Sequence, residues 1–562
     1  MYNWLKGFLS NRYIRTRVNG VYSRTRPSKE RLPQGSALSC TLFLCFLNDL
    51  SEVIPTFNRL SFADDISTWQ SDKNVDRATE ALNSDLHALK RYCDQWCMQI
   101  NTTKTVYNTY SNSREVLARD LELKIEDKCL QRDPLLRYLG VALDSRLNLT
   151  AHVEQLAGRV QERIGLMKKL AGTNWGAALS SLKILYVTFV RSALEYANPI
   201  LNLASKTSLG KLDRIQNAAM RLMTGRLRST PIAALEVATE CEPLETRREV
   251  QTLMARERFL RLGESNPLKD LAESFGATRR RLKKVSVLSA AEAAERKFDL
   301  PTDRAPLETP GWPPELAPHP LEARLDIGLN GKKSEIAPQV QKAAALEFID
   351  SYPAEYMRCY IDGSAKEGTS HGGYGVYIEW KFEEATRTSR PVGRRTCSYE
   401  CEKAALHACI PILKERHDRG NPLPGVVILC DCCSLVQNLG GFNPTSMGDI
   451  LSTMEQLRQA GVRIICQWIP SHVGIHGNEL ADELANAGRL QPQPTVPATP
   501  AHVSSLLRGE TAKRWRAAIE GNDDTRLAKL YEARRADDYR AHLPGKGRSR
   551  SFGPFSAMLI FC

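Results

Sequence analysis

Residues 358 to 488 switch between the apolar spacing of strands and that of helices, and this pattern predicts an α/β domain. Five consecutive apolar residues, Val426 to Cys430, are typical of a central strand that is covered on both faces. Between residues 399 and 415 the apolar positions recur at helical spacing instead. The whole segment predicts the order β-β-β-α-β-α-α-β-α. We therefore expect a mixed five-stranded sheet with helices on both faces.

The patterns before and after this domain differ from it. The segment from Cys40 to Leu50 is apolar on nearly every side, so we expect a buried helix there. One apolar stripe at helical spacing consists of Val153, Leu156, Val160, Ile164 and Met167. The predicted segments are an α+β region at 1–148, an all-α region at 149–262, a basic and Pro-rich linker at 263–350, the α/β domain at 351–490 and a poorly defined C-terminal tail at 491–562.

Composition narrows the class of partner. The chain has 562 residues, a net charge of +13 and a sequence pI of about 9.0. This excess of positive charge suits a polyanion, with nucleic acid ahead of an anionic membrane surface. Fifteen cysteines show neither a disulfide framework nor zinc-ligand spacing. No apolar run is long enough to cross a bilayer and no signal peptide is evident, so we expect an intracellular protein, cytoplasmic or nuclear, with no membrane partner.

Four carboxylates occupy the predicted ends of elements in the α/β domain. Asp362 ends the first strand and Asp431 follows the central one, whereas Glu402 and Asp482 lie on helices. Ligands of α/β sheets gather at the carboxyl ends of strands. Grouped acids repel one another unless cations bind between them, and two Mg²⁺ ions in such a group support phosphodiester hydrolysis. The pattern therefore predicts a site for two Mg²⁺ ions, with Mn²⁺ as an alternative.

The same stretch resembles ribonuclease H type 1 over essentially its whole length. Five short motifs in order carry the resemblance: Tyr360-Ile361-Asp362-Gly363-Ser364, Ser398-Tyr399 with Glu402 and Ala405-Leu406, Asp431 with Ser434-Leu435, Pro470-Ser471-His472-Val473-Gly474, and Gly477-Asn478-Glu479-Leu480-Ala481-Asp482.

This resemblance implies a metal-dependent nuclease that cuts the RNA strand of an RNA–DNA hybrid. The implied catalytic residues are Asp362, Glu402, Asp431, Asp482 and His472. The four acids would be the metal ligands, and His472 would assist proton transfer or product release. The implied substrate contacts are Gly363, Ser364 and Asn478. Two features depart from the family pattern: Glu400 is an alternative ligand two residues before Glu402, and no basic helix lies between Leu435 and Ile450.

A second resemblance covers the first half of the chain, to the reverse transcriptase of non-LTR (LINE-type) retrotransposons. Its motifs are Leu32-Pro33-Gln34-Gly35-Ser36, Phe62-Ala63-Asp64-Asp65, Asn101 with Lys104-Thr105, Tyr138-Leu139-Gly140-Val141, and Ile215-Gln216-Asn217-Ala218-Ala219. On this basis residues 1–148 are expected to be part of a polymerase palm and residues 149–262 its helical thumb.

The implied polymerase residues have distinct roles. These are Gln34 and Gly35 at the template and incoming nucleotide, Asp64 and Asp65 at Mg²⁺, Lys104 near the triphosphate, and Leu139 and Gly140 at the primer. The family also needs a third carboxylate on an upstream strand. Before Pro33 the only acid is Glu30, which lies too close to this loop. We therefore expect a truncated polymerase region that is inactive by itself.

The chain is thus predicted to be a retrotransposon-derived RNA–DNA hybrid ribonuclease with a polymerase remnant. One alternative is a catalytically silent, nucleic-acid-binding remnant of a transposon. Another is a DNA-directed nuclease or integrase that uses the same fold. The presence of all four acids and of His472 favours the first interpretation.

Overall fold

The computed structural model forms two compact units, residues 1–154 and 155–562. The residues that it describes are 2–28, 32–33, 35–53, 58–172, 176–278, 286–307, 321–329, 336–381, 383–421, 423–441 and 447–520. Gln34, and most of the prolines predicted for the linker, lie outside these ranges.

The first unit is built from short strands paired in twos and from helices. Its elements are α1 (Tyr2–Leu9), β1 (Arg12–Ile14), β2 (Arg17–Val18), β3 (Val21–Tyr22), β4 (Arg26–Ser28), α2 (Ala37–Phe46), α3 (Leu50–Val53), β5 (Arg59–Phe62), β6 (Asp65–Thr68), α4 (Val75–Gln95), β7 (Val106–Tyr107), α5 (Arg114–Ala118), β8 (Lys124–Ile125), β9 (Lys128–Cys129), β10 (Gln131–Arg132), β11 (Leu135–Tyr138) and β12 (Val141–Asp144).

The prediction that the apolar helix after residue 40 is buried was wrong. In α2 the side chain of Leu44 is 59% exposed and that of Phe46 is 37% exposed. Among the described residues, α2 meets α4 at its last residue, where the Phe46 carbonyl accepts a hydrogen bond from the Tyr92 hydroxyl at 3.2 Å. The chain that follows α2 adds Leu47 and Leu50, which pack beside Tyr92. Burial needs a neighbour on each face of a helix, which the apolar pattern alone does not supply.

The second unit begins within a helix and continues as a helical region. Its first elements are α6 (Thr150–Lys168), α7 (Leu179–Leu185), a π-helical turn (Tyr186–Arg191), α8 (Ser192–Leu194), α9 (Asn198–Leu201), α10 (Lys206–Thr224), α11 (Ile232–Thr239), α12 (Leu244–Leu260), α13 (Pro267–Thr278) and α14 (Val287–Glu295). The apolar stripe predicted from Val153 to Met167 is buried throughout. Its helical period is therefore confirmed, and so is the helical character of this region.

The α/β domain follows, with its elements in the predicted order. They are β13 (Glu322–Arg324), α15 (Pro338–Asp350), β14 (Met357–Lys366), β15 (Ser370–Glu379), β16 (Thr386–Arg395), α16 (Ser398–Asp418), β17 (Gly425–Cys430), α17 (Cys433–Leu439), α18 (Gly448–Gln459), β18 (Arg463–Trp468) and α19 (His476–Leu490). From β14 to α19 this is the order β-β-β-α-β-α-α-β-α that the sequence predicts.

The strand count needs a correction, because the sheet has six strands and not five. Its order is β13-β18-β17-β14-β15-β16, with β14, β17 and β18 parallel to one another. The additional strand β13 runs parallel to β18, with Glu322 opposite Ile465. It has only three residues and lies in the segment predicted as a linker. A strand this short has no periodic signal, so only its pairing with β18 defines it.

Each face of this sheet has its own apolar core. Along β14, Cys359 and Ile361 belong to the core that includes side chains of α16, α17 and α18. The intervening Tyr360 belongs to the core that includes side chains of α15 and α19. Successive strand residues point to opposite faces. Because both faces are covered, β17 is apolar along its whole length, and so is the Cys359–Ile361 part of β14.

A last helix, α20 (Pro500–Glu520), lies in the segment predicted as a poorly defined tail. Its Val503 and Leu507 pack with Leu253 of α12. The Nδ1 atom of His502 lies 2.9 Å from the backbone oxygen of Thr396, and since a carbonyl only accepts, this nitrogen donates. The helix therefore contacts both the helical region and the α/β domain. No helix in the described parts of the chain is long and apolar enough to span a bilayer.

Candidate active site

Asp362 lies in the middle of the sheet, on β14 between β17 and β15. Its side chain is 7% exposed. The next residue, Gly363, lets α16 come close, because a Cβ atom there would lie 2.2 Å from the backbone nitrogen of Glu402. A larger residue would push the start of α16 away from β14. Gly363 thus sets the separation between the first two acids.

Glu402 lies in the second turn of α16, which begins at Ser398. Its side chain is 6% exposed and faces the same cavity as Asp362. Glu400, the alternative considered from the sequence, is not among the residues that line this cavity. Two residues along a helix correspond to roughly 200°, so the two side chains point in different directions. The helix therefore presents Glu402 to the cavity.

Asp431 immediately follows the last residue of β17. Asp362, Glu402 and Asp431 each place a carboxylate oxygen within 4.8 Å of the other two. Burial, together with the charges of Asp431 and Asp482, raises the pKa of Asp362 to about 7. Burial and the charges of Asp362 and Asp431 hold the pKa of Glu402 well above its usual range. The three acids thus form a site that favours either protons or cations.

Asp482 and His472 line the same cavity, which has a volume of about 320 Å³. Asp482 projects from α19, and His472 is exposed on the loop before that helix, with a φ of +55°. Glu479 places a carboxylate oxygen within 4.8 Å of ligand atoms of both. It also accepts a hydrogen bond from the backbone nitrogen of Gly474 at 3.0 Å. Sequence reasoning missed Glu479, although its position one helical turn before Asp482 indicates it.

The predicted substrate contacts fall into two groups. Gly363 and Ser364 line the cavity. Asn478 does not line it, and its side chain is only 2% exposed. Its Oδ1 atom has no hydrogen-bond partner among the described residues. The structure therefore brings Gly363 and Ser364 to the acids but keeps Asn478 in the interior of the domain.

Three lining residues, Ala365, Ser398 and Ser471, were not identified from the sequence as part of the site. Ser398 and Ser471 add hydroxyl groups to the rim. Both serines stand in the motifs that resemble ribonuclease H, but serine is so common at helix ends and in turns that the motifs alone gave them no role. Only the convergence of β14, α16 and the His472 loop places them beside the acids.

The predicted polymerase residues lie in the first unit. Asp64 and Asp65 are both exposed at the hairpin between β5 and β6. Among the described residues, no group of three metal-ligating side chains includes either of them. Leu139 and Gly140, both with positive φ, make the turn between β11 and β12. Gly35 also has positive φ, at 87°. Lys104 lies in a turn, where its backbone nitrogen donates to the backbone oxygen of Asn101.

Comparison with known proteins matches two regions of the chain. A family model described as reverse transcriptase (RNA-dependent DNA polymerase) matches residues 1–143, and one described as RNase H matches residues 354–489. The second match covers the sheet, its helices and the acidic cavity. The α/β domain is therefore an RNase H domain, and the first unit carries a reverse transcriptase region.

Relatives and a solved structure give the wider context. The probable RNA-directed DNA polymerase from transposon BS of Drosophila melanogaster is 27% identical over 232 residues, which are 40% of this chain and 25% of the relative. The RNA-directed DNA polymerase from mobile element jockey of the same species is 23% identical over 232 residues, with the same coverage. A crystal structure of LC11-RNase H1 in complex with RNA/DNA hybrid is 17% identical, with a TM-score of 0.20, and the match covers 23% of this chain and 97% of that one.

The chain spans about a quarter of the length of the curated relatives that it matches. Together, the two family matches and these relatives identify it as a LINE-type retrotransposon protein with a reverse transcriptase region followed by an RNase H domain. The resemblance stated from the sequence motifs is confirmed at this level.

Proposed function

We propose that the chain hydrolyses the RNA strand of RNA–DNA hybrids in the acidic cavity of its RNase H domain. The observation that supports this most is the grouping of carboxylate oxygens from Asp362, Glu402 and Asp431 within 4.8 Å. Among the described residues that line the cavity there is no lysine or arginine, and His472 is the one basic side chain. Like charges held this close in a buried place need a cation to be stable in the ionised form.

The residues present fit a divalent cation with a preference for oxygen ligands. Mg²⁺ takes carboxylate and water oxygens, and Mn²⁺ suits the same set. Asp362, Glu402 and Asp431 would hold the first ion, and Asp482 would extend the group to a second. Two such ions, when bound, supply an activated water and stabilise the charge that develops on the leaving oxygen of a phosphodiester.

His472 has a separate task in this proposal. It lies on an exposed loop beside Asp482, where its imidazole can reach a leaving group at the mouth of the cavity. An imidazole accepts and donates protons, so we assign it the transfer of a proton to the product side. In this proposal the His472 imidazole acts on the reacting atoms and is not one of the carboxylates that would hold the cations. Replacing His472 should therefore slow cleavage without abolishing cation binding.

The proposed substrate follows from the rim of the cavity. Ser398 and Ser471 place hydroxyl groups next to the acids. Hydroxyls suit both a phosphate oxygen and a 2′-hydroxyl, the group that distinguishes RNA from DNA. The net charge of +13 favours a polyanion. A nucleic-acid duplex with one RNA strand satisfies each of these features.

The polymerase region enters the proposal as a nucleic-acid contact without its own chemistry. Asp64 and Asp65 have no third metal-ligating side chain beside them in the described part of the first unit. Two-metal phosphoryl transfer needs enough ligands to hold both ions. We expect no primer extension when the chain receives template, primer, deoxynucleotides and Mg²⁺. Extension above the level of an Asp64→Asn, Asp65→Asn double variant would contradict this expectation.

The test of the nuclease proposal is cleavage of a labelled RNA–DNA hybrid by the full chain with Mg²⁺. The expected result is internal cutting of the RNA strand, which Asp431→Asn abolishes. The matched control is Asp418→Asn, since Asp418 pairs with Lys414 at the far end of α16. Failure of the wild-type chain to cut would favour the silent remnant, and cutting of duplex DNA would favour a DNA-directed nuclease.

A further inference from the structure

The side chain of Asn486 bridges two residues of the acidic cavity. Its Nδ2 atom donates a hydrogen bond to Oδ1 of Asp482 at 2.8 Å. Its Oδ1 atom accepts a hydrogen bond from the Ser364 hydroxyl at 2.9 Å. Asn486 follows Asp482 by four residues on α19, so the two side chains lie on the same face of the helix. One amide thus connects the helix that carries Asp482 to the strand that carries Asp362.

The backbone around this bridge is held in place by packing. The helix α19 lies so close to β15 that a Cβ atom on Gly375 would be 2.0 Å from the backbone oxygen of Ala481. On β16, the Ser389 hydroxyl donates to the backbone oxygen of Leu484 at 2.6 Å. Because these contacts fix the helix, the remaining freedom of Asp482 is rotation of its own side chain. The hydrogen bond from Asn486 restricts this rotation.

The direction of both hydrogen bonds follows from the chemistry of the groups. An ionised carboxylate only accepts hydrogen bonds, so the amide must turn its NH₂ group towards Asp482. The amide oxygen then faces Ser364, whose hydroxyl can donate to it. The reversed amide would place its oxygen against the Asp482 carboxylate and lose that bond, although its NH₂ group could still donate to the Ser364 hydroxyl. The Asp482 carboxylate therefore selects the amide orientation, and the Ser364 hydroxyl holds the Asn486 side chain in place by donating to its oxygen.

We propose that Asn486 is a positioning residue for Asp482, and that Ser364 acts through it. With Oδ1 held by the amide, the other carboxylate oxygen of Asp482 is kept available for a divalent cation. This inference rests on the proposed function, because it concerns the same cavity. It changes the role expected for Ser364, whose hydroxyl donates within the protein and is not reserved for the substrate.

The test begins with cation binding to the metal-free chain, in the absence of nucleic acid. Titration calorimetry with Mn²⁺ is expected to show about tenfold weaker binding by Asn486→Ala than by the wild-type chain, the usual loss when a partner of a metal ligand is removed. Ser364→Ala should weaken binding in the same direction. The double variant should bind no more weakly than Asn486→Ala, because Ser364 has no route to Asp482 once the amide is gone.

Matched variants separate positioning from general damage to the fold. Ser364→Thr retains a hydroxyl and should keep wild-type binding. Asn83→Ala removes another helical asparagine whose amide bonds at both ends, to Glu122 and Lys124, and should leave Mn²⁺ binding unchanged. Thermal unfolding of each metal-free variant shows whether it is folded. The single variant Ser364→Ala lies on the strand and leaves α19 intact, so it tests the bridge even if Asn486→Ala unfolds.

The hybrid cleavage assay then distinguishes this inference from the proposed function. Asn486→Ala should raise the Mg²⁺ concentration needed for half-maximal cleavage, while the KM for hybrid stays near its wild-type value. Wild-type Mn²⁺ binding by Asn486→Ala, or effects of Ser364→Ala and Asn486→Ala that multiply, would overturn the positioning role. Weakened Mn²⁺ binding in a chain that cuts no hybrid would support the positioning role and refute the nuclease proposal. A wild-type chain that binds no cation would refute both.

Discussion

The guanidinium of Arg261 donates a hydrogen bond to the backbone oxygen of Ala498, 2.6 Å away, across 237 residues of sequence. The same group donates to the backbone oxygen of Ala305 at 2.6 Å and pairs with Glu257. The Arg261 side chain is fully buried. One arginine of the helical region thus binds two chain segments, and one of these segments leads into α20.

Replacing this arginine should destabilise the second unit strongly. In Arg261→Ala, the Ala305 oxygen loses its side-chain donor and Glu257 loses one of its two arginine partners, while Arg304 still pairs with Glu257. A buried acceptor left without its donor costs about 2 kcal/mol in free energy of unfolding. Urea unfolding followed by circular dichroism measures this. Arg419→Ala, which removes an exposed partner of Glu415, serves as the control and should cost under about 1 kcal/mol. Equal losses in the two variants would contradict the role of Arg261.

Stability of the metal-free chain should depend on pH through Asp362. Its carboxyl keeps a proton in the folded protein up to about pH 7, whereas its ordinary pKa is 3.8. A folded-state pKa that is raised contributes stability at low pH, and this contribution is lost as the pH rises from about 4 through 7. Between pH 4 and 8 in EDTA, the wild-type free energy of unfolding should fall relative to that of Asp362→Asn by an amount on the order of 3 kcal/mol. If the free energies of unfolding of the two proteins changed with pH in parallel, the raised pKa of Asp362 would be contradicted.

Glu402→Gln should separate stability from activity. The buried carboxylate is repelled by Asp362 and Asp431, so its neutral amide analogue should raise the melting temperature of the metal-free chain at pH 8. Hybrid cleavage should be lost because the group no longer provides a full set of anionic ligands. Glu483→Gln, an exposed change on α19, is the comparison and should alter neither property. A destabilised Glu402→Gln would indicate that the acids do not repel one another as inferred.

The close contact of α19 with the sheet provides a further prediction. In Gly375→Ala the added Cβ atom would lie 2.0 Å from the Ala481 oxygen, so the helix that carries Asp482 must move. Overpacking of this kind costs roughly 2 kcal/mol, and we expect hybrid cleavage to fall together with the free energy of unfolding. In Gly509→Ala on α20, nothing lies within 4 Å of the new atom. Helix propensity should then stabilise this control by about 0.5–1 kcal/mol. Similar behaviour of the two variants would argue against the contact.

Prediction from the sequence succeeded where a local apolar pattern by itself indicates the secondary structure and its buried side. The apolar run Val426–Cys430 can only be satisfied between two covered faces, so it predicted β17 in the centre of the sheet. The helical stripe from Val153 to Met167 predicted the buried side of α6 for the same reason. It failed where burial depends on a neighbour, as in α2, whose apolar Leu44 is exposed in the structure.

The sequence by itself determined the order of the RNase H elements and which acids belong to them, because strand and helix periods and short motifs are local properties. It left Glu400 and Glu402 as alternatives, and it assigned Ser364 to the substrate. Only the tertiary structure decided between the two glutamates, since the close approach of α16 to Gly363 places Glu402 in the cavity. The packing of α19 on β15 likewise brings Asn486 between Ser364 and Asp482. Ser364 and Asn486 are 122 positions apart along the chain, a separation that no local pattern records.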